Sequence, residues 1–156
     1  SWVNNPRIVD TLSDIFLYPH SEKRSKQYLE LAMSSDWNGF VIALVDTEEY
    51  IGQIDFVKLD HKNGWGELGI VIGNEENHGK GYGTEALELI INFAFDQLRL
   101  NRVELVCWSF NVKGRRAYEK VGFVQEGVRR KKRYRNGEFH DEICYGLLRE
   151  EWTARK

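Results

Sequence analysis

The chain has 156 residues, of which 42% are hydrophobic, enough for one domain that buries roughly 70% of the surface its unfolded chain exposes. Lysine plus arginine number 22 and aspartate plus glutamate 24, so overall charge argues neither for a nucleic-acid coat nor for a polyanionic tail and is uninformative about partners. Cys107 and Cys144 lie far apart inside apolar runs, which reads as reduced, buried thiols of a cytoplasmic protein without metal-ligand spacing. No run approaches the ~18 apolar residues of a spanning helix and no basic-then-apolar leader opens the chain. A membrane location and a metal are therefore not expected.

The two prolines, Pro6 and Pro19, fall in an irregular N-terminal fifth. Ser21 is a good cap for a helix to about Ser34, with Tyr28, Leu29, Leu31 and Ala32 on its apolar side. The stretches 39–46, 50–59 and 66–73 are short, rich in β-branched and aromatic residues and separated by polar turns, predicting an antiparallel meander. Leu87, Ile90, Ile91, Ala94, Phe95 and Leu98 recur at helical spacing, predicting a helix over 84–98 with a broad apolar stripe for the sheet. "RVELVCWSF", 102–110, is apolar in both alternations and reads as a central strand covered on two faces. A helix over about 112–121 stops at Gly122, and Asn136-Gly137 predicts a tight hairpin between two final strands. The fold class expected is α+β, a mixed sheet in a single domain over 1–156.

"NHGKGYGTEA", residues 77–86, places three glycines and a lysine at the start of the long helix. Unpaired backbone N–H groups and the positive end of a helix dipole converge there, and missing side chains admit a phosphate. The nucleotide P-loop does not fit: five residues separate Gly73 from Gly79, and Gly81 follows Lys80. Gly81, Gly83 and Ala86 spell GxGxxA with Glu104 at a suitable distance, the pattern of a dinucleotide-dependent oxidoreductase, but that fold needs more βαβ units than the chain can hold. An ordinary flexible turn is the remaining alternative.

"GELGIVIGNEENHGKGYGTEALELIINFA", followed by a strand and "NVKGRRAYEKVGF", resembles the acetyl-CoA-dependent N-acetyltransferases of the GNAT superfamily. The ending "YRNGEFHDEICYGLLREEW" resembles ribosomal-protein N-terminal and spermidine-acetylating members. The resemblance implies a twisted, mostly antiparallel sheet with a splayed central parallel pair, and acetyl-CoA as cosubstrate. It implies a pyrophosphate cradle at His78, Gly79, Lys80, Gly81, Tyr82, Gly83 and Thr84, with His78 in place of the family's leading Gln or Arg. It also implies that backbone around Ile70, Val71 and Ile72 pairs with pantetheine as an added pseudo-strand. Asn111 is placed to touch the pantetheine arm or to cap the helix that follows.

Acetyl transfer to an amine needs a neutral nucleophile, a stabilised oxyanion and a proton for the departing thiolate. A primary ammonium has a reference pKa of ~10.4 and an α-amine ~8, so a base or an ordered water removes a proton; the resemblance of "GEL" makes Glu67 the candidate. The Ile70 N–H would polarise the thioester carbonyl. Tyr118, in "AYEKVGF", is the candidate acid, a phenol of reference pKa ~10 facing a thiol of ~8.5. No acyl-enzyme is required, so neither cysteine is assigned as nucleophile.

The acceptor is expected to be a small-molecule amine or a peptide N-terminus. Asp46, Glu48, Glu49, Glu138, Asp141 and Glu142 are an acidic set for it, although acidic loop residues are usually only solvated. "RRKKRYR", 129–135, carries charge on both faces of a strand without interleaved aromatics for stacking, which points away from nucleic acid and toward a solvated edge. Relatives begin with a strand before the helix region in which "SWVNNPRIVDTLSDIF" sits. Without that strand a sheet edge is left over, which suggests a homodimer. A CoA-binding regulatory module without transfer activity remains the other reading of the same cradle.

Overall fold

The computed structural model describes residues 2–12, 21–34 and 37–155. Pro19 and positions 13–16 of the opening helix-like stretch lie outside them.

A short helix α1 (Pro6–Val9) is capped by Asn5, whose side chain accepts from the Arg7 N–H, and buries Ile8. Helix α2 (Glu22–Ala32) starts as expected, with the Ser21 hydroxyl accepting from the Arg24 N–H. Its apolar side is not covered: Leu29 and Leu31 are more than half exposed and no residue of α2 is buried. The local pattern set the helix; on that side Tyr28 meets the sheet, its hydroxyl accepting from the Gln53 side chain.

Strands β1 (Gly39–Ala43), β2 (Tyr50–Asp60) and β3 (Trp65–Ile72) form the expected antiparallel meander. Helix α3 (Tyr82–Asn92) follows, starting two residues before the expected Thr84 because Gly81 is its N-cap. It loosens into a π turn over Phe93–Gln97, and the Arg149 guanidinium donates to the carbonyls of Leu100 and Phe95 there. Leu87, Ile90, Ile91, Ala94 and Phe95 are buried on the sheet, each large side chain contributing about 1.5–3 kcal/mol. β4 (Arg102–Trp108), α4 (Val112–Val121), β5 (Val124–Arg135), β6 (Glu138–Leu148) and α5 (Arg149–Ala154) complete the fold.

The sheet order is β1-β2-β3-β4-β6-β5, and β3–β4 is its parallel pair. Among the described residues that one βαβ unit does not supply the repeated parallel units of a dinucleotide-binding fold. The β5–β6 turn has Asn136 and Gly137 at φ 51° and 83°, the backbone that an Asn-Gly hairpin requires.

β4 corrects the expectation of two covered faces. Val103, Leu105 and Cys107 are buried toward α3 and α4, whereas Val106 on the opposite face is 38% exposed. Its apolar run reflects strand propensity as well as burial. Cys144 is likewise only half-buried, while Cys107 is buried, and both are free thiols.

Candidate active site

β3 and β4 pair only over Trp65–Glu67 against Arg102–Glu104. Beyond Glu67 they separate, leaving a wedge with one wall at Leu68–Ile72 and the other at Leu105–Trp108. The Gly73 N–H donates to the Ile51 carbonyl at 2.7 Å, which makes Ile51–Gly73 a hydrogen-bonded pair of the β2–β3 ladder. By alternation Val71 and Gly69 turn their main-chain groups to β2, and those of Ile70 and Ile72 face the wedge. The three residues singled out on this strand therefore divide, with Val71 committed to the ladder.

The Ile72 carbonyl is occupied by the His78 ring, whose Nε2 lies 2.9 Å away. His78 is half-buried and ties the glycine loop to the end of β3, a contact between residues six apart that no motif signals. Gly79 and Gly81 have φ of 74° and 92°, a left-handed backbone that side chains resist. A Cβ on either would meet nothing within 4 Å, so conformation rather than crowding selects glycine, and the loop opens onto free space. α3 has no side-chain N-cap bond and its first intrahelical donor is the Glu85 N–H, bonded to the Gly81 carbonyl at 3.0 Å. The N–H groups of Tyr82, Gly83 and Thr84 thus lack intrahelical acceptors, with Lys80 exposed beside them. Gly83 faces Ile70 and Ile72.

Asn111 is the α4 N-cap: its Oδ1 accepts from the Gly114 N–H at 3.0 Å. Only its Nδ2 is left for another partner. Tyr118, on α4, is 9% exposed and packs against Phe123 and Tyr145, with ring centroids 6.2 and 5.9 Å away. Burial raises its phenol pKa, with Cys107 and Tyr145 adding to the rise. Burial also pushes the Cys107 thiol up to about 12, so it stays a thiol. The Tyr145 hydroxyl donates to Glu119 at 2.8 Å and accepts from Arg115 at 3.2 Å.

The face opposite α3 is dominated by charge. Glu67 pairs with Lys58 at 2.7 Å, and Arg102 bridges Glu104 and Glu126 at 2.8 and 2.6 Å. The buried Glu142 accepts from Arg129 at 2.5 Å with Lys132 at 3.7 Å. The acidic set read from the sequence is not assembled: Asp46, Glu48 and Glu49 sit in or beside the β1–β2 turn and Glu138 at the tip of the β5–β6 hairpin. Asp141 accepts from the Lys131 N–H. The basic run is mostly solvated, but Arg133 and Arg135 turn inward to the N-terminal segment. Arg135 pairs with Asp10, and Arg133 donates to the Leu12 carbonyl beside the Trp108 Nε1, which donates to the same carbonyl at 3.0 Å. α1 also reaches the turn that precedes the glycine loop through Arg7 and Glu75, 3.4 Å apart. The contacts of Trp108, Arg133 and Arg135 with this N-terminal segment were invisible in the sequence, because they join residues about a hundred positions apart.

The description "Acetyltransferase (GNAT) domain" matches residues 1–124. A Bacillus subtilis protein provisionally named ribosomal N-acetyltransferase YdaF is 38% identical over 78% of the chain, which spans 66% of that relative's length. The B. subtilis N-acetyltransferase YokL, described as prophage-derived and uncharacterized, is 31% identical over 93% of the chain and 85% of its own. The Vibrio cholerae spermidine N-acetyltransferase, solved with CoA and spermine, superposes with a TM-score of 0.82 at 21% identity, covering 97% of this chain and 88% of that one.

Proposed function

The chain belongs to the GNAT acetyltransferase family and carries an acetyl-CoA-dependent N-acetyltransferase domain, and from that premise we propose a division of labour among its residues and an acceptor class. Acetyl-CoA supplies the activated acetyl group. Its pyrophosphate sits against the N–H groups of Tyr82, Gly83 and Thr84, within the loop His78–Gly81 and near Lys80. The pantetheine arm lies in the wedge along Ile70 and Ile72, with the Asn111 Nδ2 at its flank and Val71 serving as the packed floor. The observation that carries this reading is the coincidence of the wedge with an uncapped helix mouth, which together match a thioester-bearing arm and its diphosphate.

Glu67 acts on the acceptor's proton, directly or through a water, from the face opposite α3. Tyr118 keeps its proton to pH values well above neutrality and hands it to the thiolate as the C–S bond breaks. A raised phenol pKa weakens an acid, but a thiolate formed in the same dry site is raised as well. The acceptor is a primary amine, a polyamine or a peptide N-terminus, in keeping with the names that relatives carry. We place the reaction in the cytoplasm, where free Cys107 and Cys144 stay reduced, and propose a homodimer. Sedimentation at the monomer mass would remove the dimer.

Acetyl-CoA turnover read as thiol release, against peptides, polyamines and aminoglycosides in parallel, tests the function. Release with one class fixes the acceptor; tight CoA binding with no release above background identifies a binding module instead.

A further inference from the structure

On the face opposite α3, Glu67, Glu104, Glu126 and Glu142 each have a lysine or arginine partner. Asp55 does not. Among the described residues its carboxylate has neither an ion pair nor a hydrogen bond, although the residue is half-buried. A carboxylate withdrawn from water without a compensating charge is costly, and such a group beside a reaction cleft is a candidate for function.

Its surroundings are built around it. Asp55 stands on β2 between Gly39 of β1 and Gly69 of β3, so neither cross-strand neighbour sets a side chain against it. A Cβ at Gly39 would lie 2.6 Å from the Asp55 Cβ and from the Trp37 ring; one at Gly69 would lie 3.6 Å from Asp55 Oδ1 and 2.8 Å from Val57 Cγ2. Val57 is the extra residue of a β-bulge between Phe56 and Lys58, a device that re-aims side chains. Gly69 directly precedes Ile70, whose main-chain groups face the wedge. The carboxylate therefore stands between two glycines, with the Trp37 ring packed over Gly39 and Val57 over Gly69, on the strand beside Ile70.

We propose that Asp55 is the seat for the acceptor's ammonium group, supplying the counter-charge that this face provides for every other charged group named above. This rests on the amine-acetylating reading and deepens it: the acceptor enters as a cation, and neutral or anionic acceptors are excluded. The proton balance follows. R–NH3+ docks on Asp55 and gives up a proton through Glu67 or its water; the amine nitrogen then bonds to the thioester carbon. As C–S breaks, Tyr118 protonates the sulfur and recovers its proton from the new amide nitrogen, so one proton per turnover goes to solvent.

Among the described residues, the charged and titratable groups around Asp55 are few. Tyr28 reaches in from α2, its hydroxyl accepting from the Gln53 side chain, and its own pKa is raised chiefly by burial and in part by Asp55. Lys58 on the same strand is drawn to Glu67. The facing residues of β1 and β3 are glycines. Burial pushes the Asp55 carboxyl up to about 6, and a cation beside it would restore it to the ionised form.

The test uses 1,4-diaminobutane and a peptide with a free N-terminus on the wild type, Asp55→Asn and Asp55→Glu, with steady-state kinetics over pH 5–9 and direct titration of each amine into the protein. Asp55→Asn should raise the amine KM about 10- to 100-fold with the acetyl-CoA KM unchanged, and Asp55→Glu should recover part of the loss. Wild-type kcat/KM for amine should fall below pH about 6, a limb absent from the Asn variant. An unchanged amine KM in Asp55→Asn, with transfer intact, would overturn the assignment and leave the acetyltransferase reading standing. If no amine is acetylated, that reading fails by itself, and the titrations decide Asp55: equal amine binding by wild type and Asp55→Asn overturns it, and binding lost only in Asn upholds it.

Discussion

His78 Nε2 and the Ile72 carbonyl oxygen, 2.9 Å apart, join the glycine loop to the strand that borders the wedge. One side chain thereby couples the two halves of the proposed CoA site, the diphosphate loop and the pantetheine edge. His78→Ala should remove about 1 kcal/mol of loop attachment and weaken CoA binding severalfold, with kcat at saturating acetyl-CoA unchanged. Calorimetric titration checks this; tighter binding would mean that the histidine withholds the Ile72 carbonyl from pantetheine.

Gly81→Ala places a side chain at φ 92°, a strain of about 1–2 kcal/mol. The added methyl meets open space in the free protein, so the melting temperature should fall by only a few degrees, while CoA affinity should fall tenfold or more if the diphosphate sits where we propose. Equal affinity would place the diphosphate elsewhere.

Tyr118→Phe removes a proton donor and little packing. Turnover should drop by about 10²–10⁴-fold, with CoA affinity and melting temperature close to wild type. A variant with full turnover would show that solvent or another group quenches the thiolate.

Glu67→Gln should lower kcat/KM most at pH values where the amine is protonated. The Lys58–Glu67 pair is water-exposed at the lysine end, so its loss should cost less than about 1 kcal/mol in denaturant unfolding. Activity unchanged at every pH would remove Glu67 from the proton path.

Asp55 also makes a stability prediction. Its folded pKa of about 6 lies above the ordinary 3.8, so the folded state holds this proton more tightly than the unfolded state. The stabilisation it gives is complete below about pH 4 and is lost as pH rises through 6. The wild type should therefore lose stability relative to Asp55→Asn between pH 4 and 6, and the variant should melt at the same or a higher temperature at pH 7. A less stable variant at pH 7 would reveal a favourable partner for the carboxylate.

Much of this was legible in the sequence because it is local. Ser21 and Asn111 cap the helices they precede, Gly122 ends α4, and Asn136-Gly137 turns the hairpin, each through backbone chemistry confined to a few residues. The glycine loop was legible for the same reason. The uncovered faces of α2 and β4 were not, since burial depends on what other elements bring against a strand or helix. Asp55 looked like any polar position of an alternating strand; its missing counter-charge appears only when Gly39 and Gly69 are placed on either side. The contacts of His78 and Trp108 were likewise silent, because their partners are main-chain carbonyls.

The central claim is that a helix mouth and a strand edge hold acetyl-CoA. Amide hydrogen exchange with and without CoA, resolved by residue, tests it most directly. The N–H groups of Ile70, Tyr82, Gly83 and Thr84 should gain protection on CoA addition, while Val71, already bonded to β2, should be slow in both states. Protection that leaves 82–84 and Ile70 unchanged and appears on another surface would contradict the account.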